Sequence, residues 1–97
     1  MKNDDLMNYA AIVCADIVLK HESILYAERS APEDTADSGW QFLCGADDED
    51  WNLAKVWALH EVMELDESLK PFMKMPYGTI LTRLSANDAW HVSRREQ

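Results

Sequence analysis

The chain has 97 residues, 47% of them apolar, and a formal net charge of −9. This length supports one hydrophobic core, and an apolar fraction that includes four Trp is enough for the chain to fold despite its charge. We therefore expect a single domain over residues 1–97, with the polar ends 1–8 and 93–97 flexible.

The composition also indicates where in the cell the protein is located and which classes of ligand it can bind. The longest apolar stretch, residues 9–19, is interrupted by Asp16 and is shorter than the roughly 20 residues that span a bilayer. Asp4 and Asp5 precede it, whereas a secretory signal begins with basic residues, so we expect a cytoplasmic protein. Nucleic acid and anionic membranes require a basic surface and are not expected as partners.

The first third of the chain predicts two strands with a short helix between them. Residues 10–14 are continuously apolar, as in a buried strand, and Asp16 can cap the helix that follows. Residues 23–29 are apolar and then alternate, which is typical of a strand whose end reaches solvent. The segment 30–37 contains Pro32 and small or polar residues, and it predicts a loop.

A third strand is predicted over residues 39–44, followed by an acidic turn. Alternation places Trp40 and Phe42 on one face of this strand and Gln41 on the other, so we expect Trp40 in the core. The acids of the turn can complement the N-terminus of a helix that begins near Glu49 or Asp50.

The second half of the chain predicts two short helices and a hairpin. Residues 56–59 are interpreted as extended, and residues 61–73 show helical spacing that Asp66 divides into two helices. A strand at 79–84 and an edge strand at 89–92 form the hairpin, whose Trp90 can belong to the core or to an interface. Together, the predicted elements make an α+β domain with an antiparallel or mixed sheet of four to five strands and two to three short helices.

The negative charge is concentrated in residues 31–54, here called the acidic window, which carry seven acids and no Lys or Arg. A field of one sign beside aromatic side chains favours a basic protein partner and fast association. The alternatives are a solvated surface that aids solubility and, for Asp37, a turn that folds back onto Ser38-Gly39. The predicted partner-binding residues are Glu33, Asp34, Asp47, Asp48, Glu49 and Asp50, with Trp51 and Trp57 as aromatic anchors.

No motif points to catalysis, a metal or a cofactor. The run from His60 begins like a zinc-protease helix, but Glu64 stands where the second histidine is required. Ser38 lacks the Gly-x-Ser-x-Gly frame, and the three glycines are isolated rather than grouped in a phosphate-binding loop. A small hydrolase would require carboxylates, or the pair His60 and Glu64, to converge in a pocket. We predict a non-enzymatic protein.

Four features occur together in a fixed order over roughly residues 10–85. They are an apolar strand at 11–14, a strand that ends in Glu28-Arg29, the motif Asp37-Ser38-Gly39-Trp40-x-Phe42 with a glycine followed by acids over 45–50, and the turn Pro76-Tyr77-Gly78. In these features the chain resembles the bacterial immunity-protein family numbered thirty-three.

The resemblance implies a protein that neutralises a toxin delivered between competing bacteria, by binding it inside the producing cell. The partner would be a cognate toxin with a basic surface, and the family supplies no catalytic residues to assign. The alternative is a housekeeping module that binds a small ligand or forms a homodimer. That alternative predicts that the largest concave or apolar patch lies away from the acidic window.

Overall fold

The computed structural model describes residues 6–20, 22–31, 37–44 and 54–94. Two 3-10 segments, Leu6–Asn8 and Glu67–Phe72, accompany the helices α1 (Ala15–Lys20) and α2 (Leu59–Leu65). The strands are β1 (Ala10–Val13), β2 (Tyr26–Arg29), β3 (Asp37–Leu43), β4 (Lys55–Ala58), β5 (Thr79–Thr82) and β6 (His91–Arg94).

The six strands form one mixed sheet in the order β4-β1-β3-β2-β5-β6. β1 and β3 run parallel, and the other neighbouring strands are antiparallel. The α+β class and the mixed sheet are confirmed, whereas the expected number of four to five strands is one too low. The additional strand is β4, whose irregular sequence predicts only an extended segment but which pairs along its length with β1.

The hydrophobic core lies between one face of the sheet and the helices. Val13, Phe42, Ala27 and Leu81 stand side by side on four neighbouring strands, and all are fully buried. Trp40 is also fully buried and stacks on Phe42, with 5.9 Å between ring centroids. The predicted alternation of β3 is confirmed. The helices and the loop after the 3-10 helix add Ile17, Leu59, Val62, Leu69 and Met73 to this core.

The helical half of the chain follows its sequence pattern closely. Asp66 separates α2 from the 3-10 helix and accepts the backbone N–H of Ser68 at 3.1 Å, so its predicted capping role is confirmed. Asp16 lies in the first turn of α1 rather than before it, because the helix begins at Ala15, so its predicted role as the cap is wrong. The helix expected near residue 50 falls outside the described residues. None of the helices in the described ranges is long and apolar enough to cross a membrane.

Candidate functional site

The Asp-Ser-Gly-Trp motif forms a bulge at the start of β3. Ala10 pairs with Asp37 and Ile12 pairs with Gln41, so β3 advances by four residues while β1 advances by two. Within the bulge, Asp37 Oδ1 accepts the N–H of Gly39 at 2.9 Å, and Ser38 Oγ accepts the N–H of Trp40 at 3.1 Å. The fold-back predicted for Asp37 is therefore confirmed, and it holds this motif in a turn-like conformation.

Gly39 is required by close packing inside this bulge. Its φ is +86°, and a Cβ built there would lie 2.0 Å from the carbonyl oxygen of Ser30. The two strands are joined at this point, since the N–H of Ser30 donates to the carbonyl of Gly39 at 2.9 Å. No side chain fits between the two backbones.

Arg29 connects the bulge to the turn that precedes β5. Its Nε donates to the carbonyl of Ser38 at 2.9 Å, and its Nη1 donates to the carbonyl of Met75 at 2.9 Å. The guanidinium carbon lies 4.8 Å from the centroid of the Tyr77 ring, and the N–H of Gly78 donates to the Arg29 carbonyl at 2.6 Å. Three motifs that are distant in sequence therefore meet in one cluster that braces the sheet.

The other face of the sheet carries no helix in the described part of the chain, and we call it the open face. One row of paired residues crosses it from edge to edge. Val56 is 69% exposed, whereas Glu28 is nearly buried and accepts the Tyr26 hydroxyl at 2.9 Å. The row consists of Val56, Ile12, Gln41, Glu28, Ile80 and Ser93.

Two adjoining depressions on the open face share Ile12 and Gln41, and together we call them the groove. One, of about 460 Å³, is also lined by residues 54–56, and the other, of about 330 Å³, is lined by Ser30, Ala31 and the bulge. Ala31 and Asp37 bound the segment 32–36 in sequence, and Ala54 follows the segment 45–53. Both acidic segments are thus joined directly to groove-lining residues.

Seven of the eight predicted partner-binding residues lie outside the described residues. They are Glu33 and Asp34 in segment 32–36, and Asp47, Asp48, Glu49, Asp50 and Trp51 in segment 45–53. Trp57 lies in β4 opposite Ala11, on the core side of the sheet, where it is half-buried and packs against the core. Its role as a partner anchor stays a prediction.

The groove residues Ile12 and Val56 were not predicted as site residues. Ile12 stands within a continuously apolar run, where periodicity cannot separate the two faces of a strand. Gln41 did carry a signal, because it is the polar position in the alternation of β3. The sequence pattern does not show that β4 lies beside β1 and thereby brings Val56 next to Ile12.

A second polar cluster surrounds Arg83, whose side chain is 2% exposed. Its guanidinium pairs with Asp66 and lies 4.1 Å from the centroid of the Trp90 ring, while Trp90 Nε1 donates to Ser68 Oγ at 2.9 Å. Burial raises the pKa of Asp66, but hydrogen bonds from Ser68 and Arg83 outweigh it and hold this pKa below 3.8. Trp90 therefore braces the fold.

The residues considered for metal chemistry lie apart from the groove. His60 Nδ1 is 3.9 Å from Glu64 Oε2 on the exposed side of α2, with both side chains at least half exposed. Among the described residues, no three His, Cys, Asp or Glu side chains gather into a group that could hold a metal ion.

The comparison with known protein families gives one finding. The model described as Immunity protein Imm33 domain matches residues 11–93, which is most of the chain. The match includes the Asp-Ser-Gly-Trp bulge, Arg29 and the turn before β5. No curated protein and no solved structure matches the chain.

Proposed function

The chain belongs to the Imm33 immunity protein family, and we propose that it protects its cell by binding a cognate toxin and blocking the toxin's activity. The family match over residues 11–93 is the observation that carries this proposal. The protein acts as a stoichiometric inhibitor without catalysis of its own. Such an inhibitor must associate quickly and dissociate slowly, because free toxin acts on the cell that makes it.

The acidic window supplies the fast association. Residues 31–54 carry seven acids and no base, and a field of this sign accelerates the approach of a basic surface. The toxin therefore presents Lys or Arg side chains, as the substrate channel of an enzyme that acts on nucleic acid does. The proposed contacts are Glu33, Asp34, Asp47, Asp48, Glu49 and Asp50, with Trp51 as an anchor. Trp57, half-buried on the core side of the edge strand β4, is proposed as a second anchor that the partner reaches past that edge.

The groove does not favour the alternative of a housekeeping module. That alternative expects the largest concave patch to lie away from the acidic window. The groove is a concave patch that lies partly within the window, since Ala31, Gln41 and Ala54 help to line it. A partner that the window attracts would meet the groove in the same encounter.

Co-expression with the product of the gene immediately upstream tests the proposal. We expect that product to arrest growth alone, this chain to restore growth, and the two proteins to purify together. The complex should weaken between low and high salt, because exposed charges are screened. A toxic neighbour that this chain neither binds nor counteracts would contradict the function, as would a harmless neighbour that forms no complex.

A further inference from the structure

The open face combines apolar side chains with negative charge. In its central row, Val56, Ile12 and Ile80 are apolar, and the charged member is the carboxylate of Glu28. Asp37 adds a second carboxylate beside the groove. The register places no Lys or Arg side chain on the described part of this face, although Lys55 borders the groove from β4.

We infer that the toxin docks on the open face, placing an apolar projection in the groove and Lys or Arg side chains around it. Apolar contact at the centre with charged pairs at the rim is the usual arrangement of a protein interface. The described carboxylates of Asp37 and Glu28 lie beside the groove, and the groove-lining residues 31, 37 and 54 belong to the acidic window. This inference rests on the proposed function and names the site that performs it.

The size and charge of the face favour the toxin over a second copy of this chain. Six strands about 4.8 Å apart and about four residues long give a face of roughly 400 Å². A standard interface takes about 800 Å² from each partner, so the sheet alone falls short of a stable dimer. Two copies would also bring two chains of charge −9 together. The seven acids of the acidic window attract a basic partner and repel a second copy.

Two substitutions in the groove test the inference against a matched control. Val56→Lys places a base at an exposed position of an edge strand, where Lys is well tolerated. Gln41→Lys places a base at the centre of the groove, beside Glu28. The control is Leu19→Lys in α1, because Leu19 is 64% exposed and the substitution changes the net charge equally.

Binding of the purified upstream gene product is measured by calorimetry for the wild type and the three variants, after thermal denaturation has shown that each folds. We expect dissociation constants at least tenfold higher for Val56→Lys and Gln41→Lys, and within about threefold of the wild type for Leu19→Lys.

Three outcomes would overturn the inference. Groove variants that bind as the wild type does would place the interface elsewhere and leave the proposed function intact. A wild type that fails to bind the toxic product would remove the proposed function and the inference together. A wild-type dimer in sedimentation that Val56→Lys converts to a monomer would assign the face to contacts between copies of this chain.

Discussion

Gly39 occupies a position where the structure admits no side chain. Replacement by Ala combines a positive φ of +86° with a Cβ placed 2.0 Å from the Ser30 carbonyl oxygen. We expect Gly39→Ala to lower the free energy of unfolding by about 3 kcal/mol, because β2 and β3 must separate to admit the methyl group. Urea denaturation of the purified variant measures this loss.

Gly78 provides the control for that measurement. Its φ is +94°, but a Cβ there would meet its nearest neighbour, Arg94 Nε, at 4.0 Å. Gly78→Ala should therefore carry only the conformational cost of about 1 kcal/mol. Equal losses at Gly39 and Gly78 would show that the contact with Ser30 relaxes without cost.

Asp66 makes part of the stability depend on pH. Its folded-state pKa lies below 3.8 because hydrogen bonds from Ser68 and Arg83 outweigh the effect of burial. A lowered pKa stabilises the fold above the unfolded pKa of about 3.9, and this stability is lost as the pH falls through the folded value. We expect Asp66→Asn to cost about 1–3 kcal/mol at neutral pH, because Arg83 loses its charged partner.

The difference between Asp66→Asn and the wild type should begin to shrink as the pH falls below the unfolded pKa of about 3.9, because the unfolded wild-type chain then binds a proton that the folded carboxylate does not, and it should disappear below the folded-state pKa. Chemical denaturation of both proteins at several pH values measures this difference in the free energy of unfolding. The control is Glu64→Gln on the exposed side of α2, which removes one carboxylate that lies beside His60 rather than Arg83. A constant difference between Asp66→Asn and the wild type across this range would contradict the proposed role of the ion pair.

Among the elements, β2 depends on Arg29 to hold the turn before β5. The guanidinium donates to the carbonyls of Ser38 and Met75 and lies over Tyr77. Lysine keeps the charge but lacks the planar fork, so we expect Arg29→Lys to lose about 2 kcal/mol of stability. Amide hydrogen exchange should accelerate first over residues 73–79, while β1 stays protected until global unfolding.

Arg83→Lys makes the same chemical change in the separate cluster around Asp66 and Trp90, and it should accelerate exchange there while leaving residues 73–79 protected. Uniform acceleration over the whole sheet in Arg29→Lys would indicate general destabilisation rather than a local brace.

The elements were predictable to different extents for physical reasons. β3 shows alternation around Trp40, and Asp66 marks the boundary between α2 and the 3-10 helix, so these elements follow from local chemistry. β4 was predicted only as an extended segment, because its strand character comes from pairing with β1 across a long connection. The Asp-Ser-Gly-Trp motif was recognised by its residues, but its convergence with Arg29 and Gly78 is a tertiary property.

At the scale of the whole molecule, the acidic window was visible in the sequence because charge is local information. The groove was not, since it forms only where β1, β3 and β4 lie side by side around Ile12, Gln41 and Val56. Under the proposed function, the sequence predicts a basic partner surface, and the fold offers a place where an apolar contact can accompany it. The two are linked along the chain, because the groove-lining residues Ala31, Asp37 and Ala54 belong to the acidic window.

Charge reversal separates long-range attraction from contact. Asp47→Lys, Asp48→Lys and Asp50→Lys together should slow association with the toxin at least tenfold at low salt, with a smaller difference at high salt. The control reverses Glu22, Glu64 and Glu67, which are exposed and lie outside the acidic window, for an equal change in net charge. Stopped-flow association rates distinguish the two triple variants. Equal slowing in both would mean that net charge alone steers the toxin, whereas slowing confined to the first assigns the steering to the acidic window.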